Sequence, residues 1–341
     1  MDSRGKCSRS NKPGTGSKPL QKKIRDLGNE VKNAFKKHSS TSRSPNVSPS
    51  LNVTATGRQC PENHPRKRAV LCGVTYQNRK FKLKGTVNDV KNMRDLLIKR
   101  FGYSQECIRV LTEEEEEPGF YPTKKNIQEA LKWLVEGSES GDSLVFYFSG
   151  HGLRQPDFNN DERDGFDETI CPVDFVQEGM ILDNDINSTI VRPLKQGVTL
   201  HAIVDACHSG TILDLEYIYN PKTSKWDDNS APSKAQKSTS GGIAISISAC
   251  EDDQMAADTS YFTGQEMAGA MTYALIQTLD RNKKLTYQSL LNIIHETLEQ
   301  VNSGSCLKSK LLHKLFHHRI IQDPLLSSSE AFDVDKKEFI L

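Results

Sequence analysis

The chain has 341 residues, 35% of them hydrophobic and 26% charged, with a formal net charge of +1. That length admits one large α/β domain or two smaller ones, and no apolar run approaches the ~20 residues that a membrane-spanning helix needs. The first residues are charged and lack the apolar stretch of a secretory signal, which predicts a cytosolic protein with the nucleus also open to it.

The near-neutral total hides an asymmetry. Residues 1–68 hold 16 Lys and Arg against 4 Asp and Glu, whereas the remainder holds 29 against 40. Residues 1–65, rich in Ser, Lys, Asn and Pro, predict a disordered basic arm, interrupted by one short amphipathic stretch at Ile24–Phe35. Such an arm suits a solvated tail, or contact with nucleic acid, an anionic surface or the chain's own acidic body.

Order begins near Arg68. Ala69–Tyr76 (AVLCGVTY) predicts a strand, and Thr86–Tyr103 a helix with apolar residues at helical spacing and Gly102 as its stop. Cys107–Thr112 predicts a second strand, and Pro122–Gly137 a second helix with Thr123 as cap. SLVFYFSGHG (Ser143–Gly152) is the nearly all-apolar strand expected where both sheet faces are covered, and its glycine-rich end carries His151. A Gly/Asp/Asn-rich loop, Pro156–Glu168, precedes a short strand ICPVDF. VTLHAIVDACHSG (Val198–Gly210) again runs an apolar strand into a polar turn, this time bearing Cys207. Residues 220–241 read as an exposed connection, Gly241–Cys250 as a buried strand, and Gln265–Leu279 and Thr286–Val301 as helices.

Strands alternating with helices predict an α/β fold with a mostly parallel sheet flanked by helices on both faces. Ligand sites in such sheets form outside the carboxyl ends of the strands, where His151 and Cys207 both fall. The eight cysteines contain no C-x-x-C pair, hence no case for a structural zinc site, and a disulfide framework is not expected. Most read as small buried hydrophobes.

Cys207 is the exception. A thiol is a good nucleophile only as thiolate, and a nearby imidazole is the usual means of deprotonating it. His151 fits that role better than His208, which neighbours the thiol on the same turn. Backbone N–H groups at Cys207 and Gly152 are candidate oxyanion donors. Asp205, two residues before Cys207, should project beside it, where it can meet a guanidinium or ammonium group or cap the turn. G-x-G-x-x-G and the P-loop pattern are absent, which disfavours nucleotide chemistry.

FYFSGHG (Phe146–Gly152) and VDACHSGT (Val204–Thr211) together resemble the metacaspases, most closely the plant type I enzymes. The likeness runs from about Arg66 through LKGTVNDVKNM, DERDGFDETICPVDF and EMAGAMTYAL to SSSEAFDV. It implies a caspase-like domain over 66–341, with a large part 66–218, a connection 219–241 and a small part 242–341. It further implies a Cys207–His151 endopeptidase acting on proteins after Arg or Lys, stimulated by Ca2+, and a monomer. An enzyme that cuts after basic residues can also process itself in the connection, which holds Lys222, Lys225, Lys234 and Lys237, although lysines equally suit any exposed loop. By resemblance Asp89 and Ser149 join Asp205 in the specificity pocket, with Thr86 where a cysteine often stands. Asp89 also suits the positive end of its helix. The family's calcium ligands fall on Asp167, Asp183, Asn184 and Asp214, Asn184 replacing a carboxylate. Asp157, Asp161, Asp164 and Asp185 add further oxygen donors of the kind calcium takes, or a solvated acidic surface. The zinc finger that often opens plant type I relatives is not expected, since that region holds only Cys7 and Cys60. The rival expectation is a caspase-fold scaffold with little or no proteolysis, in stress or cell-death signalling.

Overall fold

The computed structural model describes residues 60, 65–233, 235–249, 258–259, 268–303 and 324–341. The Ile24–Phe35 stretch, nearly all of the arm, Lys234 and Cys7, Cys250 and Cys306 lie outside the described residues. In chain order the main elements are β1 (Lys67–Gly73), α1 (Thr86–Phe101), β2 (Ile108–Thr112), α2 (Lys124–Val135), β3 (Ser143–Ser149), β4 (Gly152–Pro156) and β5 (Phe166–Ile170). There follow β6 (Ile181–Leu182), β7 (Thr199–Asp205), β8 (Tyr217–Asn220), β9 (Lys225–Asp228), β10 (Ile243–Ser248), β11 (Asp258–Thr259) and β12 (Ala268–Gly269). The chain closes with α3 (Ala270–Arg281), α4 (Tyr287–Ser303) and β13 (Leu325–Ser328).

Side chains alternate across β1 and β3, and both faces are apolar, so both must be covered. Val70, Cys72, Phe146 and Phe148 face Ile127, Ala130, Leu131 and Leu134 of α2. Ala69, Leu71, Val145 and Tyr147 face the opposite way, against the apolar stripes of α1, α3 and α4. The result is an 8-stranded sheet in the order β2-β1-β3-β7-β10-β13-β8-β9. Strands β2, β1, β3, β7 and β10 run parallel, and β13, β8 and β9 add antiparallel pairings at one side. A three-stranded sheet β4-β5-β6 and the β11–β12 pair lie apart from it. The predicted α/β class, with helices on both faces, holds. Among the described residues no helix is long and apolar enough to cross a membrane.

Helix signals read true: Gly102 ends α1 at φ 71°, and the Thr123 hydroxyl accepts from the Asn126 N–H at 3.3 Å to open α2. Three expectations need correcting. The strand read at ICPVDF lies just upstream, at Phe166–Ile170, where it pairs with both β4 and β6. The stretch read as an exposed connection contains the β8–β9 hairpin. Its anchor is Trp226, which donates to the Phe332 carbonyl at 2.8 Å and packs against the rings of Tyr219 and Phe332. One tryptophan in a polar stretch carries too little periodicity to betray a strand. Finally, Cys60 and Cys107 form a disulfide. Cys107 occupies a 3-10 turn at the base of β2, and parallel pairing of β1 with β2 brings that turn beside the chain entering β1. The thiols of Cys72 and Cys171 are fully buried as expected, and burial raises their pKa values.

Candidate active site

β3 and β7 are neighbours in register, with Ser149 opposite Asp205. Two residues beyond each stand His151 and Cys207, so the sheet itself brings the two predicted side chains to one strand end. The approach is close: a Cβ on Gly152 would stand 1.9 Å from the Cys207 carbonyl oxygen. Only glycine permits that contact. Cys207 is half-buried, and the turn after it places His208 in the left-handed region at φ 50°.

The His151 ring is held from several sides. Its Nε2 lies 2.7 Å from the Phe81 carbonyl, and its backbone N–H donates to the Tyr76 hydroxyl at 3.0 Å. That hydroxyl donates in turn to the Cys171 carbonyl at 2.6 Å. The Tyr76 ring lies over the imidazole, centroids 4.7 Å apart, with Phe81 edge-on at 5.7 Å. A carbonyl can only accept, so the Phe81 contact assigns the proton to Nε2 and leaves Nδ1 as the basic nitrogen. Phe81 and Tyr76 are site residues that sequence reasoning missed. A backbone carbonyl leaves no side-chain signature, and Tyr76 reads simply as the end of a strand.

The predicted specificity residues also meet. Ser149 donates to Asp89 Oδ2 at 3.0 Å, and both Asp89 oxygens accept from the Gly269 N–H at 3.0–3.1 Å. Asp205 Oδ2 accepts from the backbone N–H and hydroxyl of Thr272 at 2.9 and 2.7 Å. A Cβ on Gly269 would stand 2.2 Å from Asp205 Oδ2 and 3.1 Å from Asp89 Oδ2, so the two buried carboxylates flank one backbone position. Thr86 is buried one helical turn before Asp89, and its hydroxyl lies 3.2 Å from that of Thr75.

The segments after His151 and after Cys207 converge a second time, on acids. Asp157, Asp161 and Asp167 form one group of converging carboxylates, and Asp161, Glu162 and Asp214 form another sharing Asp161. Asn184 joins them. With its amide nitrogen turned inward it donates to Asp214 Oδ2 at 3.0 Å and Asp161 Oδ2 at 2.9 Å. Asp183 lies beside the group, but its oxygens accept the backbone N–H groups of Glu168 and Asn184 at 2.6 and 2.7 Å. Asp164 instead pairs with Arg154 at 3.0 Å, and Asp185 is exposed. Burial pushes Glu162 up to about 9, with Asp214 adding to the shift and Lys237 opposing it. Burial likewise raises Asp167, Asp183 and Asp214. The buried oxygens Asp161 Oδ1 and Asp167 Oδ1 have no hydrogen-bond donor among the described residues, and a hard cation takes such oxygens as ligands. The donors therefore suit a hard cation such as calcium, either between Asp161 and Asp167 or between Asp161, Asp214 and Asn184, more directly than through Asp183. Asp161 and Glu162 were legible only as members of an acidic loop. The cluster is tied to the thiol turn, because Thr211 donates to Glu168 Oε2 at 2.6 Å.

A thiol and an imidazole at adjacent carboxyl ends of a parallel sheet, over a buried acidic pocket, define a caspase-like cysteine peptidase. Comparison with known proteins makes this specific. The model for the metacaspase, peptidase C14 domain matches residues 67–216. Metacaspase-1 of Arabidopsis thaliana is 47% identical over 85% of this chain and 82% of its own. Metacaspase-2 of the same plant is 45% identical, over 82% and 74%. Among solved structures, protein GSU0716 from Geobacter sulfurreducens matches with a TM-score of 0.54 and 20% identity, over 81% of this chain and 99% of that one. That likeness speaks for the fold. The chain belongs to the metacaspase family and is a cysteine-type endopeptidase with protein substrates.

Proposed function

We propose that Cys207 and His151 hydrolyse peptide bonds after Arg or Lys, and that calcium supports the reaction by ordering the loops around them. The observation that carries this reading is the β3–β7 register, which brings the His151 and Cys207 turns into contact at Gly152. His151 Nδ1 takes the Cys207 proton, and Sγ attacks the scissile carbonyl carbon. The resulting oxyanion is met by backbone N–H groups at Gly152 and Cys207. Collapse breaks the C–N bond while the imidazolium protonates the leaving amine. Water, deprotonated by His151, then hydrolyses the thioester and restores the thiol.

Asp205 and Asp89, oriented by Thr272, Gly269 and Ser149, supply the negative charge for a basic side chain, and Thr86 contributes to the wall of that pocket. A guanidinium matches paired carboxylates in charge and geometry. An acidic side chain would meet like charge there. Calcium, when bound, supplies charge neutralisation among Asp161, Asp167, Asn184 and Asp214. Asp161 and Asp167 follow His151 in the chain and Asp214 follows Cys207, so their order and that of the site are one matter. We further read the protein as a monomer. The β8–β9 hairpin covers one side of the main sheet, and its outer strand, Lys225–Asp228, carries charges that discourage edge-to-edge pairing. Lys222 in the hairpin turn is an exposed candidate for self-processing.

The test is hydrolysis of paired fluorogenic peptides ending in Arg or in Asp, titrated with calcium from chelator upward. Arg cleavage that rises with calcium and vanishes in Cys207→Ala is expected. Cleavage after Asp, or activity retained in Cys207→Ala, would overturn the reading.

A further inference from the structure

Lys237 belongs to the stretch that the sequence presents as an exposed, polar connection, yet it is only 8% exposed. Its ammonium reaches inward to the acid cluster, 2.9 Å from Asp214 Oδ1 and 3.2 Å from Asp161 Oδ2, and donates to Glu162 Oε1. The surrounding stretch is tied down at its two ends, where the Asn229 N–H donates to the Glu216 carbonyl at 2.7 Å and the Ser240 hydroxyl to the Arg192 carbonyl at 2.6 Å. The Lys237 carbonyl accepts from Asn187 Nδ2 at 3.0 Å, and cavities of about 290 and 350 Å3 flank the residue. A buried ammonium persists only where carboxylates compensate its lost hydration.

Two of the three carboxylates that hold this ammonium, Asp161 and Asp214, are also those on which Asn184 converges. A divalent ion bound to them would sit beside a positive charge at ion-pair distance, in an environment that screens poorly. The two cations cannot share the site on favourable terms. Asn184 suits either state: its nitrogen donates to the carboxylates when the ammonium is present, and a half-turn of the amide offers its oxygen to a metal.

We propose that Lys237 is the resident cation of this carboxylate site, and that a divalent ion enters by expelling its ammonium and releasing residues 235–239 around it. The proposal rests on the calcium reading above and adds a competitor supplied by the chain itself. Expulsion also converts Lys237 from a sequestered basic residue into an accessible one, immediately before Ser238. A protease that cuts after basic residues would meet that bond only in the metal-bound state.

The experiment uses the full chain carrying Cys207→Ala, so that self-digestion cannot intervene, and measures calcium binding by titration calorimetry with and without Lys237→Met. Removing the competitor should tighten calcium binding at least about tenfold, equivalent to ~1.4 kcal/mol. Equal or weaker binding would overturn the competition while leaving the calcium reading intact, and no binding by either protein would overturn both. A second measurement needs no change at position 237. Trypsin should cut the Cys207→Ala chain after Lys237 faster in calcium than in chelator, read by mass spectrometry of the fragment beginning at Ser238. Equal or slower cutting in calcium would refute the release.

Discussion

His201 offers a quantitative check on the packing that supports the site. It lies on β7, the strand that delivers Cys207, and is wholly enclosed. Its Nε2 is 2.6 Å from the Tyr287 hydroxyl, its Nδ1 has no partner among the described residues, and the Phe339 ring stands edge-on at 5.7 Å. Burial, reinforced by Lys337, lowers its pKa from 6.5 to about 3. The folded protein therefore binds fewer protons than the unfolded chain between those values, so stability is intact above pH 6.5 and falls as the medium is acidified toward pH 3. At 1.36 kcal/mol per pH unit, the 1.5 units from 6.5 to 5.0 cost about 2 kcal/mol. The assay is urea unfolding of the Cys207→Ala chain in chelator at pH 7.5 and 5.0, with and without His201→Gln. Carboxyl groups titrate in both proteins and cancel in the difference, provided that they share no partner with His201. The parent should lose about 2 kcal/mol more than the variant on acidification. Equal losses would show that His201 is not held neutral by its surroundings.

Two further outcomes follow from distances at the site. Gly152→Ala places a Cβ 1.9 Å from the Cys207 carbonyl, so the two catalytic turns must separate. We expect kcat/KM to fall by about 100-fold and stability by ~1–3 kcal/mol, and near-normal turnover would contradict the contact. Tyr76→Phe keeps the ring over His151 but removes the hydroxyl that joins the His151 N–H to the Cys171 carbonyl. Leaving those groups unsatisfied should cost about 1–3 kcal/mol in denaturant unfolding; an unchanged midpoint would show that the bridge is not formed.

The sheet and its helices were legible because their signals are local. Unbroken apolar runs mark β3 and β7, Gly102 and Thr123 mark helix ends, and the His151 and Cys207 turns announce themselves by composition. What escaped detection depends on residues distant in sequence. The Phe81 carbonyl reaches His151 across 70 positions and has no side-chain signature. Lys237 finds Asp161 and Glu162 across some 75 residues, and its polar surroundings gave every local indication of exposure. The Cys60–Cys107 bridge depends on which two strand bases are neighbours, a matter of topology. The hairpin at Tyr217–Asp228 hangs on Trp226 finding Phe332, a contact between stretches that carry no shared pattern.

The entry of the chain into β1 has a consequence for how the enzyme can be anchored. The strand starts at Lys67 and advances toward the cleft, while the Lys67 ammonium reaches Phe101 at the end of α1 and the carbonyl of Leu341, at 2.7 and 3.1 Å. The entry point, the Cys107 turn and Leu341 thus gather at the pole opposite His151 and Cys207. A tether attached there, whether a fusion partner, an affinity tag or a surface gripping the basic arm, would leave the mouth of the enzyme pointing away from its mooring and open to passing chains.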